Sequence, residues 1–124
     1  MKKGKLVIIR GVPGSGKSTM AREMYPDHVL VEADMYFVGP DGEYRYEQSK
    51  IKDAHAWCQR MTRKILNEGR DVVVANTFTR RWEFEPYLAM ADDVEVVVAT
   101  GNYKNVHGVP DAVVEKMRAR FERF

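Results

Sequence analysis

Four short apolar runs, spaced by longer mixed stretches, set the pattern of the chain. Leu6-Val7-Ile8-Ile9 is continuous, rich in β-branched residues, and ends at Arg10-Gly11. A run with no polar face predicts a strand covered on both sides, as in a parallel sheet. His28 to Glu32, Val72 to Ala75 and Val94 to Ala99 repeat the pattern. Between the runs the period changes. Ile51, Ala54, Trp57, Cys58, Met61 and Ile65 recur at three- and four-residue spacing, which predicts the longest helix, from about Gln48 to Asn67, closed by Glu68-Gly69. Ser18 to about Tyr25 reads as a short helix stopped by Pro26. Thr79 to Ala91 reads as helical in part, with Pro86 breaking or restarting it. Pro110 suits the first turn of a closing helix whose Val113, Val114, Met117 and Phe121 share a face. Alternation of this kind predicts an α/β fold: a parallel sheet, helices on both faces, right-handed crossovers.

Length and charge narrow the picture. The 124 residues suit one domain spanning 1–124. Twenty basic against 18 acidic residues give a net charge of +2, too little for bulk electrostatics to hold nucleic acid or a membrane. The single cysteine, Cys58, excludes an internal disulfide and fits a reducing compartment. The apolar run after the basic start is too short for a signal core or a membrane span. The expected location is therefore cytoplasmic, with no membrane partner.

Gly11-Val12-Pro13-Gly14-Ser15-Gly16-Lys17-Ser18 matches G-x-x-x-x-G-K-[ST] without a gap. The glycines let successive backbone amides turn inward around phosphate oxygens. The helix that follows points its positive end at the same place. Lys17 reaches the β- and γ-phosphates, the Ser18 hydroxyl holds Mg²⁺, and Thr19 can add a bond to the α-phosphate. A buried strand before the motif and a helix after it supply the context it needs. The motif points to a nucleoside triphosphate, ATP, with Mg²⁺.

Phosphotransfer also needs a group to take the proton of the attacking oxygen. Asp34 falls just past the second strand, at the ligand-binding end of such a sheet. It is the candidate base, against the alternative of a turn cap. The third strand ends at Asn76-Thr77, where many proteins of this type have an Asp for Mg²⁺. Asn76 brings no charge, so it either places a water or substrate or closes a polar strand-end turn.

Five blocks carry a resemblance: Arg10 to Thr19, Glu32 to Phe37, Ala54 to Cys58, Asn76-Thr77 with Trp82 to Tyr87, and Asn105 to Pro110. In that order they resemble the polynucleotide 5′-kinase branch of P-loop kinases, including the bacteriophage enzyme and small viral and eukaryotic relatives. The resemblance implies a P-loop NTPase three-layer sandwich with strand order 2-3-1-4. It implies transfer of the γ-phosphate of ATP to a hydroxyl, with the single-stranded 5′ end of a polynucleotide as the best-known acceptor. A viral member would work in its host's cytoplasm. By position, Asp34 matches the family's base and Lys17 and Ser18 its phosphate and Mg²⁺ residues. Lys104-Asn105 sits where the family has an Arg-Asn pair on its lid, and so joins the nucleotide-binding set. Phe37 stands where the phage enzyme has an Arg, Asn76 where it has an Asp, and only Thr100 to Lys104 take the place of the lid helix.

Other residues carry two readings each. His55 is a helix-packing histidine or a site residue. His107 braces a loop or touches nucleotide. Tyr44 and Tyr46, with Arg45 between them, stack a base and pair a phosphate, or form a partly buried loop. Arg80 and Arg81 meet phosphoryl charge or begin a helix. Two further function classes stay open: a kinase of a nucleoside or other small molecule, and a nucleotide-binding module with slow ATP hydrolysis that works through a partner.

Overall fold

Residues 3–99, 115–117 and 121 are described by the computed structural model. Its centre is a four-stranded parallel sheet of β1 (Leu6–Arg10), β2 (Val29–Val31), β3 (Val72–Asn76) and β4 (Val94–Val98). The spatial order is β2-β3-β1-β4, as expected, with the P-loop strand third. Ile8 of β1 lies between Val74 and Val96. β1 and β3 are buried along their whole length, which is why neither has a polar face. β4 is an edge strand and leaves Glu95 and Val98 exposed.

Alternation along the strands sorts the core into two halves. Leu6, Ile8, Val72 and Val74 face one side with Ala54, Cys58 and Leu66 of α2 (Ile51–Asn67) and Phe84 and Tyr87 of α3 (Arg81–Leu88). Val7, Ile9, Val73 and Ala75 face the other with Ala21 of α1 (Lys17–Met24). The result is three layers, helix on sheet on helix. No helix among the described residues is long and apolar enough to cross a membrane.

Two helices depart from the expectation. Gln48–Lys50 form a 3₁₀ turn, and the regular helix begins only at Ile51. Pro86 does not break α3, which runs through it from Arg81 to Leu88. Pro86 and Trp82, one turn earlier, both lie on the exposed face, so the Trp82 carbonyl that loses its amide partner is on the side open to water. The helix is shorter than Thr79 to Ala91 because Arg80 is extended and the Glu83 carboxylate reaches back to its amide at 2.9 Å. Of the expected closing helix, Val113 and Val114 lie outside the described residues, while 115–117 are helical.

At the end of β1 sits a fully buried cation. Arg10 Nε donates to the Phe78 carbonyl at 2.9 Å, and its guanidinium lies 4.4 Å from the ring centres of both Phe84 and Phe121. Phe78 has a φ of 46°, a left-handed conformation that bulky side chains rarely take. The Arg10 bond and the burial of the Phe78 ring hold it there.

Candidate nucleotide and phosphotransfer site

Between β1 and α1 the chain turns through Gly11–Gly16. Gly14 and Gly16 have φ values of 84° and 86°, where only glycine is unstrained. Gly11 is required by crowding: a Cβ there would lie 2.2 Å from the Ser15 hydroxyl. The Ser15 amide folds the loop back by donating to the Val12 carbonyl at 3.1 Å, and Lys17 Nζ donates to the same carbonyl at 3.2 Å. The Ser15 hydroxyl is buried and finds no hydrogen-bond partner among the described residues. Such an orphan costs about 1–3 kcal/mol, which a phosphate oxygen would relieve. A glycine-turned loop, the open first turn of α1 and a lysine at its start fit the triphosphate of ATP.

Across from the loop, β2 ends and Glu32 leads into a 3₁₀ turn, Ala33–Phe37. Ser18 Oγ donates to Glu32 Oε2 at 2.5 Å. Asp34 Oδ1 accepts from the Tyr44 hydroxyl at 3.2 Å. Burial pulls the Lys17 ammonium below the usual lysine range, while the Glu32 and then the Asp34 carboxylate hold it up. Burial, and next the Asp34 charge, push the Tyr44 phenol well above its ordinary value, so it stays a donor. Lys17 thus lies within reach of the Glu32 and Asp34 charges, and Ser18 is bonded to Glu32. Sequence reasoning gave Glu32 no role; its one signal was its place two residues before Asp34. Thr19 lies in the first turn of α1. Lys104, Asn105 and His107 lie outside the described residues.

Asn76 resolves differently from a metal or substrate residue. It is buried, its Oδ1 accepts the Ala33 amide at 2.8 Å, and its Nδ2 donates to Cys58 Sγ at 3.5 Å. Asn76 straps the end of β3 to the turn that carries Asp34. Asn76→Ala leaves the buried Ala33 amide without its acceptor, and the expected loss is about 1–3 kcal/mol of unfolding free energy. Chemical denaturation checks this, and wild-type stability would show the strap to be dispensable.

The flanking residues sort as follows. Arg45 is held by Asp41 at 2.7 Å and Glu43 at 2.8 Å within its own exposed loop, a local ion pair that favours the loop reading over phosphate pairing. Tyr46 packs on Phe37 at 5.2 Å between ring centres. Arg81 stands 3.8 Å from Glu85 along α3, a helix-surface pair. His55 is half-buried on α2: burial lowers its pKa below 6.5, and the Glu83 and Asp34 carboxylates oppose that shift. The unfolded chain therefore binds more protons than the folded one as pH drops through about 6.5, so stability falls on acidification. In His55→Gln the fall in melting temperature between about pH 7.5 and about pH 5.5 should be smaller than in the parent.

A four-stranded sheet in this order, with a glycine loop passing from its third strand into a helix that opens with Lys17-Ser18, is the P-loop kinase fold. Over residues 6–124 the chain matches the AAA domain family and belongs to it. It is 28% identical to human NEDD4-binding protein 2 over 136 aligned positions, covering 96% of this chain and 8% of that protein. It is 36% identical over 100 positions to the 2′,3′-cyclic-nucleotide 3′-phosphodiesterase of Pongo abelii, covering 75% of this chain and 22% of that one. The chain therefore spans less than a quarter of the length of either relative. Among solved structures, a chain of the Pnkp1/Rnl/Hen1 RNA repair complex superposes with a TM-score of 0.73 at 20% identity, covering 98% of this chain and 45% of that chain.

Proposed function

We propose that this chain is an ATP-dependent phosphotransferase that moves a phosphoryl group to a hydroxyl, with the 5′-hydroxyl of a polynucleotide as its acceptor. The observation that carries the reading is a carboxylate, Asp34, in the turn that follows β2, near enough for its charge to act on the phosphate-loop lysine, Lys17. Bound Mg²⁺-ATP supplies the phosphoryl group and a cation that offsets its charge. Asp34 accepts the proton of the attacking hydroxyl. Lys17 meets the negative charge on the transferring group, and Ser18 holds the metal. Gly11, Val12, Pro13, Gly14, Ser15, Gly16 and Thr19 complete the phosphate cradle, and Lys104 and Asn105 belong to the nucleotide side.

The acceptor side is aromatic. Tyr36 and Phe37 follow Asp34 in the same turn, and an open cleft of about 270 Å³ is lined by Tyr36, Phe37, Val38 and Lys50. The exposed Tyr36 ring, two residues from the candidate base, suits a stacked nucleobase, while Phe37 belongs to the core. The RNA-repair context of the Pnkp1 structure supports the same acceptor class. One observation favours a second reading, a nucleoside or small-molecule acceptor: Arg45, at the rim of this cleft, is already neutralised by Asp41 and Glu43 and offers a strand backbone little grip. The test is labelled ATP incubated with 5′-hydroxyl oligonucleotides and, separately, with a nucleoside panel. Label on the oligonucleotide is expected. Label on nucleosides alone moves the function to the second reading, and ATP hydrolysis without transfer to either overturns both.

A further inference from the structure

We propose that Glu32, at the end of β2, supplies the metal-supporting carboxylate that this fold ordinarily takes from the end of β3, and that it does so by orienting the Ser18 hydroxyl. The inference rests on the Mg²⁺-nucleotide part of the function proposed above, and is independent of the acceptor. A serine that holds a cation must turn a lone pair toward it and send its proton elsewhere. Ser18 Oγ donates to Glu32 Oε2 at 2.5 Å, a short charge-assisted bond that fixes where the proton goes. The oxygen's lone pairs are left for the metal. In P-loop NTPases an acidic residue at the end of a neighbouring strand shares this work. Asn76 cannot take it up here. It is a neutral amide, buried, with its oxygen on the Ala33 amide and its nitrogen on Cys58.

The same strap explains the division of labour. Ala33 is anchored by Asn76, and the two carboxylates stand on either side of it. Glu32 turns to Ser18 and Asp34 to Tyr44, so one has the metal side and the other the acceptor side. Glu32 is a positioning residue: it acts through Ser18 and by adding negative charge beside the cation.

This predicts that two affinities part company. Glu32→Gln keeps the shape but loses the charge and the strong acceptor. Mn²⁺ binding to the complex with a non-hydrolysable ATP analogue, followed by electron paramagnetic resonance with no acceptor present, is expected to weaken about 10–100-fold. Metal-free binding of the same analogue, by calorimetry, is expected to hold or tighten, because a carboxylate that repels the phosphates is gone. A merely structural role for Glu32 would lower both affinities together, and that result overturns the proposal. Parent-like Mn²⁺ affinity overturns it equally. Should Glu32→Gln fail to fold, Glu32→Asp serves: one methylene shorter, it keeps the charge but draws back from Ser18, so Mn²⁺ affinity should still fall, and an unchanged value refutes the claim. Because no hydroxyl is offered, a failure of the transfer reaction itself leaves this measurement unaffected.

Discussion

Asp34→Asn should transfer phosphate about 10²–10⁴-fold more slowly than the parent while binding ATP with similar affinity, the usual contribution of a positioned general base. The substitution removes basicity and little else. An asparagine oxygen can accept the Tyr44 hydroxyl that now donates to Asp34 at 3.2 Å. The turn itself is held from outside, by Asn76 on the Ala33 amide. Lys17 keeps the Glu32 carboxylate, the stronger of the two that act on it. Three readouts on this variant separate the roles: transfer rate with the best acceptor found, ATP affinity and melting temperature. Lost transfer with the other two intact identifies the base. Wild-type transfer refutes it, and a collapse in melting temperature assigns Asp34 to the support of its turn instead.

Lys17→Ala should weaken ATP binding by about 1.5–3 kcal/mol, the loss of a charged hydrogen bond, or about tenfold to a hundredfold. Removing the ammonium has a second consequence. Glu32 and Asp34 then face the phosphates without the ammonium on which their charges act. The defect should therefore grow with the number of phosphates on the ligand and vanish for adenosine. Calorimetry with ATP, ADP and adenosine checks this. An ATP affinity equal to the parent's would remove Lys17 from the phosphate site.

The strands, the phosphate loop and the place of Asp34 were legible in the residues because each has a local signal, whereas the strand order came with the family resemblance. A strand buried on both faces must be apolar wherever no partner satisfies a polar group, and β1 and β3 are apolar up to their last residues, Arg10 and Asn76. Gly14 and Gly16 occupy backbone conformations that other residues avoid. Glu32 and Asn76 were not legible in the same way. Their roles depend on which strand end faces which helix, so a glutamate becomes a serine's partner only once β2 closes on α1. A strand-end asparagine reads equally as a residue that places water or substrate and as part of a polar turn until its oxygen is found on a neighbouring turn. Arg45 carried two readings because its attraction to phosphate is generic, and the loop reading holds because Asp41 and Glu43 lie within its own loop. Pro86 misled because a proline's cost depends on which face its orphaned carbonyl meets, and that face is solvent here.

Arg10 bears on how this fold can be dissected. The residue that immediately precedes the phosphate loop is a cation packed between Phe84 and Phe121 and bonded to Phe78. The loop's lower hinge therefore belongs to side chains from two distant stretches of sequence, Phe78 with Phe84 and Phe121. A fragment ending before Phe121 would carry the whole glycine loop and yet bare one face of a guanidinium that is otherwise fully buried. Grafting the loop into another scaffold as a cassette thus means transplanting an aromatic clamp along with it.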